Sequence, residues 1–190
     1  DVLDYPVVSG NVSLYNETDD KAILPTPVVG GVGLLPNWRY ACPLAFQAPE
    51  QSIYLLGETK GHIGQSLYLR EVYGEEKGPP PAVDLRREKE AGTLVRQLIV
   101  KGQINACHDI ADGGLLIAIV EMAMAGNTGA KLDIDSDVGF LFGEDQGRYL
   151  FTTDNEKALE ETLKAQDIPF QKIDRTSAEK RKRGSHGDAL

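Results

Sequence analysis

Three stretches carry residue types from which chemistry can be built. Ser9-Gly10-Asn11 interrupts the β-like run Pro6–Tyr15, bringing polar groups and a glycine into a strand line. Asp112-Gly113-Gly114 stands at the head of Leu115–Gly126, the most apolar helix read in the chain, where Asp112 is placed to cap the helix by accepting from an orphan N–H. Each glycine costs about 1 kcal/mol against alanine inside a helix, so something must come close there, either an anion or a packed strand. Close packing is the expectation. The third stretch, Glu144-Asp145-Gln146-Gly147-Arg148, is a polar segment directly before the strand-like Tyr149–Thr153.

Other constellations fail on spacing. Gly30, Gly31 and Gly33 make no dinucleotide fingerprint, because its last glycine would fall at Pro36 and no helical pattern follows. Gly57 to Gly64 lacks the Gly-Lys-Ser/Thr ending of a phosphate-binding loop. Asp133, Asp135, Asp137 and Glu144 are spaced like calcium ligands, but the required glycine would be Val138 and a strand precedes them. They read as solvent-facing acids. Cys42 and Cys107 are too few for a disulfide framework or a metal site and are expected as small buried side chains, with His108 a buried structural residue.

Positioning these groups falls to a chain of 190 residues, 41% hydrophobic, enough for one domain and a piece of another. Lys plus Arg number 20 against 29 Asp plus Glu, and the net charge of −9 disfavours nucleic acid and anionic membrane as partners. The cluster Lys180–Arg183 reads as a solvated loop. No apolar run reaches the roughly 20 residues that span a bilayer, and no export signal opens the chain, so a reducing cytoplasm is expected. Without an initiator methionine, and with Asp1–Pro6 running straight into a strand, the sequence reads as a fragment of a longer polypeptide.

Alternating periods predict an α/β fold, a mixed sheet with covering helices. Strands are expected near 52–57, 104–108, 131–135 and 147–153, helices near 86–101 and 113–125. The second helix is apolar nearly all round and expected to be buried on several sides. Leu67–Tyr73 reads as a short helix with Leu67 and Val72 inward, Glu156–Gln166 as a surface helix with Ala158, Leu159 and Leu163 inward, and Pro169–Ile173 as a last strand. Two further β-like runs, Pro6–Tyr15 and Ile23–Leu35, precede a change of character at Pro36–Arg39. The boundary drawn there divides the chain into 1–37 and 38–190.

Val7–Thr18, Pro25–Gly30, Leu56–Thr59, Ala106–Leu115 and Leu141–Arg148, in this order, resemble the large catalytic subunit of small-type phosphoribosylformylglycinamidine synthases, in the aminoimidazole ribonucleotide synthase-like superfamily. The likeness covers residues 1 to about 173 and departs over Asp174–His186, which replaces a shorter link. It implies that 1–37 end a second nucleotide-binding N-domain and 38–190 form a second C-domain lacking its C-terminal end. It also implies an ATP-dependent carbon–nitrogen ligase that converts formylglycinamide ribonucleotide to its amidine in purine biosynthesis. The ammonia would come from a glutaminase subunit, with a small bridging subunit completing the complex. The family pattern assigns an ATP contact to Gly10, a Mg²⁺ ligand to Asn11 and a substrate contact to Ser13. Their chemistry suits those roles: a glycine admits a phosphate, an amide oxygen is a hard ligand, and a hydroxyl bonds a sugar or phosphate. Read from the residues alone, the stretch Gly10–Ser13 is a bulged strand with an asparagine turn.

The family's catalytic histidines lie upstream, so no catalytic residue is assigned and His62, His108 and His186 take no such role. Glu144-Asp145-Gln146 resembles a substrate-holding tripeptide of the first C-domain, but as the second copy it is given no binding role. The 190 residues alone are expected to be inactive. A noncatalytic nucleotide-binding or scaffolding module, and another ATP-dependent synthase or kinase of the superfamily, stay open as alternatives.

Overall fold

The computed structural model describes residues 1–12, 15–23, 26–132 and 137–178. Near its start, Asp19 and Asp20 both adopt positive φ, 51° and 59°, the twist a two-residue hairpin needs, and join β1 (Glu17–Thr18) to β2 (Lys21–Ala22). The apolar runs on either side form no strand among the described residues, which corrects the expectation for Pro6–Tyr15 and Ile23–Leu35. Val7, Val8, Val28 and Val32 are almost fully exposed. A strand exists through a neighbour's hydrogen bonds, and among the described residues the hairpin pairs only Glu17–Thr18 with Lys21–Ala22.

After a 3₁₀ turn at Trp38–Tyr40 the described residues form β3 (Ser52–Leu56), a short π-wound helix (Leu69–Tyr73), α1 (Leu85–Val100), β4 (Ala106–Asp109), α2 (Gly114–Gly126), β5 (Gly129–Ala130), α3 (Val138–Phe142), β6 (Tyr149–Thr153), α4 (Glu156–Lys164) and β7 (Phe170–Ser177). The sheet runs β4-β6-β3-β7-β5 with antiparallel pairing throughout, so the α/β expectation holds. The strand expected at 131–135 is placed earlier, at Gly129–Ala130, with 133–136 outside the described residues. Asp137 instead caps the unforeseen α3, accepting from the Phe140 N–H at 2.8 Å.

All five residues of the central β3 are buried, and period-two alternation sends them to two cores. Ile53 and Leu55 pack with Leu115, Ala118, Ile119 and Met122 of α2. Tyr54 and Leu56 pack with Ala91, Leu94, Val95 and Leu98 of α1 and with Leu159 and Leu163 of α4. Each such side chain contributes about 1.5–3 kcal/mol on burial. The Asp84 carboxylate starts α1 by accepting from the Arg86 and Arg87 N–H groups, and Gly102, at φ 63°, turns the chain off its end.

Some local expectations are corrected. Helix α2 is buried on one face rather than several, since Met124 is 75% exposed and no described layer covers that side. Val72 faces outward; the short helix, π-wound at Leu69–Tyr73, is anchored by Tyr68 stacked on Phe142 at 4.8 Å. His108 is half-buried, bonding Glu121 of α2 at 2.9 Å and Asp109 at 3.2 Å. Both cysteines are half-buried, and burial pushes the Cys107 thiol up to about 12. At the outer face of α4, Glu156 receives Lys172, Arg175 and Ser52, each at 2.6 Å, and tethers the helix to β3 and β7.

Candidate functional site

Pairing of Leu56 with Tyr149 brings the segments that follow β3 and precede β6 to one end of the sheet. The N-terminus of α2 joins them, because a glycine lets it. At Gly114, φ is 72° and a Cβ would lie 2.6 Å from the Phe142 carbonyl carbon and 2.7 Å from the Gly143 oxygen. Close packing is therefore what Gly114 serves, against the end of α3 rather than the strand expected, while an added Cβ at Gly113 would meet only Ile117 of its own helix. Gly57, at φ 100°, plays the matching part opposite, where a Cβ would lie 2.6 Å from the Gly147 oxygen.

Glu144–Arg148 fills the space so formed. One oxygen of Glu144 accepts both the Gly113 N–H at 2.8 Å and the Leu67 N–H at 2.7 Å, serving the starts of α2 and of the 67–73 helix together. This corrects Asp112 as the cap. The N-cap position falls on Gly113, in left-handed backbone and without a side chain, so the acceptor arrives from 31 residues away. Asp145, 7% exposed, accepts three successive backbone N–H groups, those of Lys60, Gly61 and His62, at 2.9, 2.8 and 3.3 Å. Such bonds to a charged acceptor contribute about 1.5–3 kcal/mol each.

Arg148, 1% exposed, closes the arrangement. Its guanidinium donates to the Asp145 carbonyl at 3.1 Å, to the Thr59 hydroxyl at 3.3 Å and to the Gly143 carbonyl at 2.5 Å. Burial lowers its pKa from the usual arginine value, and the Asp145 charge opposes that. The polar groups of 144, 145 and 148 are thus turned inward onto the protein's own backbone, while Gln146 is exposed. Among the described residues, no buried side-chain nitrogen or oxygen lacks a partner. Sequence reasoning missed this role for Glu144, Asp145 and Arg148; the signal was a charged run wedged between apolar segments.

Gly10 and Asn11 lie elsewhere, exposed on extended chain, and Ser13 lies outside the described residues. A Cβ at Gly10 would meet nothing within 4 Å, and the Asn11 side chain bonds no described residue. An amide oxygen of this kind is a hard ligand that fits a magnesium ion chemically. No hydrogen bond or ion pair joins described residues of 7–12 to the 144–148 segment. The nearby Asp4 does pair with Lys89 of α1.

Comparison with known proteins gives the geometry a family. The chain is 52% identical over 173 residues to the phosphoribosylformylglycinamidine synthase subunit PurL of Granulibacter bethesdensis, a match spanning 91% of this chain and 24% of that protein. It is 52% identical to the PurL of Nitrobacter hamburgensis, over 90% of this chain and 24% of that one. The chain therefore spans about a quarter of the length of these relatives. Among solved structures, Thermotoga maritima PurL complexed with FGAR shares the fold, with TM-score 0.60 and 20% identity over 73% of this chain and 26% of that one. In the family described as AIR synthase related protein, C-terminal domain, the match covers residues 48–186. With its sheet, covering helices and inward-turned 144–148 segment inside that span, the chain belongs to the AIR synthase related family through this C-terminal domain.

Proposed function

We propose that the chain serves as part of a phosphoribosylformylglycinamidine synthase. That enzyme is an ATP-dependent ligase converting formylglycinamide ribonucleotide to its amidine with glutamine-derived ammonia, in the cytoplasm, beside a glutaminase subunit and a small bridging subunit. The observation that carries this reading is identity of 52% to PurL subunits over nine tenths of the chain. In it, residues 1–37 end the second nucleotide-binding N-domain and 38–190 form the second C-domain.

The site belongs to the exposed N-terminal arm that carries Gly10 and Asn11. Gly10 leaves open space in which backbone approaches an ATP phosphate, Asn11 offers its amide oxygen to Mg²⁺, and Ser13 contacts the ribonucleotide. The ion, when bound, neutralises charge between nucleotide phosphates. Both Asp145 oxygens and one of Glu144's accept backbone N–H groups, which supports a positioning role for that segment. With no activated base or nucleophile assigned, the 190 residues alone are inactive.

A chimera tests this. Replacing the matching quarter of Granulibacter bethesdensis PurL with this chain, and assaying ADP release with ribonucleotide, ammonia, ATP and Mg²⁺, is expected to give turnover within about tenfold of the parent, about 1.4 kcal/mol in barrier. The 190-residue chain alone should match a heat-killed control. A folded but inactive chimera contradicts the assignment. In the active chimera, Asn11→Leu should raise the magnesium requirement, and Ser13→Ala should act mainly on KM for the ribonucleotide.

A further inference from the structure

A cleft of about 360 Å³ opens beside Gly147, between the segment that follows β3 and the start of α1. Gly57 and Gly147, both at positive φ, line it together with the apolar side chains of Ala91, Ile168 and Pro169. Volumes of this order hold small ligands, and apolar walls with a few convergent polar groups are the usual build.

The charges at the cleft are accounted for with one exception. Lys60 pairs with Glu58 at 3.3 Å, and Arg87 pairs with Glu90 at 3.2 Å and Asp167 at 3.3 Å. Asp84 is engaged by two N–H groups of α1. Glu88, half-buried one turn into α1, accepts no hydrogen bond from any described residue. An added Cβ at Gly147 would stand 3.3 Å from its carboxylate oxygen, so the missing side chain is what leaves Glu88 room against the wall. Burial holds the Glu88 carboxyl above the ordinary glutamate value, as for an acid desolvated without a counter-charge.

We infer that this cleft binds a small planar cation, an amidinium or guanidinium head, with Glu88 as its counter-ion. A carboxylate offers two coplanar acceptors, which match the parallel N–H pair of an amidinium. Divalent metals demand several oxygen ligands at once, and no group of three or more His, Cys, Asp or Glu side chains suited to a metal occurs among the described residues. The apolar side chains of Ala91, Ile168 and Pro169 in the lining suit the weakly hydrated face of such a head.

Benzamidinium titrated into the 190-residue chain, followed by amide NMR, tests the site. Saturable shifts at Gly57, Ala91 and Gly147 are expected, with a dissociation constant on the order of 1 mM. Benzoate, of the same shape and opposite charge, should leave them unmoved, and Glu88→Gln should weaken benzamidinium about tenfold, near 1.4 kcal/mol. Shifts that do not saturate, equal binding of benzoate, or a Glu88→Gln chain that binds as tightly as the parent would overturn the inference. The comparison of the two ligands on the unmodified chain does not depend on how the variant folds.

Discussion

Two polar interruptions, each carrying a glycine beside an apolar run, stand at opposite extremes of this molecule. In Glu144–Arg148 the Asp145 carboxylate, one Glu144 oxygen and the guanidinium meet backbone N–H and C=O groups up to 85 residues away, and most of their hydrogen-bonding capacity is used. In Ser9–Asn11 a hydroxyl and an amide stand exposed. The difference teaches that polar residue type alone does not mark a binding site; what counts is whether its hydrogen-bonding capacity is already used. Buried polar groups satisfied by their own backbone act as a clasp. Exposed and unspent ones are available for a ligand.

The largest expected effect comes from opening the clasp. Arg148→Met keeps a long apolar stem but strands two carbonyls and a hydroxyl in a dry site, and urea unfolding should show a loss of about 2–4 kcal/mol. A loss below about 0.5 kcal/mol would mean the clasp is ornamental. Gly114→Ala comes next, because left-handed backbone and contact with residues 142 and 143 both oppose a Cβ. A cost of about 1–3 kcal/mol is expected, read from the same unfolding curves.

These two residues also show how much was legible. Helices α1, α2 and α4 and strands β3 and β6 fall where period and apolar content placed them, because each buries its own stripe. Glycine at 114 was legible as close packing. The acceptor for the α2 start was not, because capping patterns look to adjacent residues and Glu144 is brought there by the sheet. Val7, Val8 and Val32 carry a strand's composition, but pairing needs a neighbouring strand that lies outside their own sequence. The five-residue α3 offered too short a period to read, although Asp137 at its head was a readable cap.

A smaller effect is set by pH at Glu156. Lys172 first and Ser52 next hold its carboxyl below the ordinary 4.5. With a folded pKa below the unfolded one, its stabilisation is complete above pH 4.5 and is lost as pH falls through the folded value. Glu156→Gln should flatten the acid limb of stability against pH while leaving the shape near neutrality unchanged; an unaltered limb would remove Glu156 from the account. Smallest of all, Val7→Ser with Val8→Ser on the exposed arm should move unfolding by no more than about 0.5 kcal/mol. A larger shift would place the arm inside the folded unit and erase the contrast.

The most direct measurement sets the two interruptions against each other in this chain by urea unfolding of Asp145→Asn and Asn11→Leu. Asp145→Asn replaces one acceptor oxygen by a donor facing backbone N–H groups and should cost about 1.5–3 kcal/mol, while Asn11→Leu should stay within about 0.5 kcal/mol of the parent. Equal losses, or a greater loss at Asn11, would contradict the claim that the 144–148 segment is a structural clasp and the Gly10–Asn11 arm is free to bind.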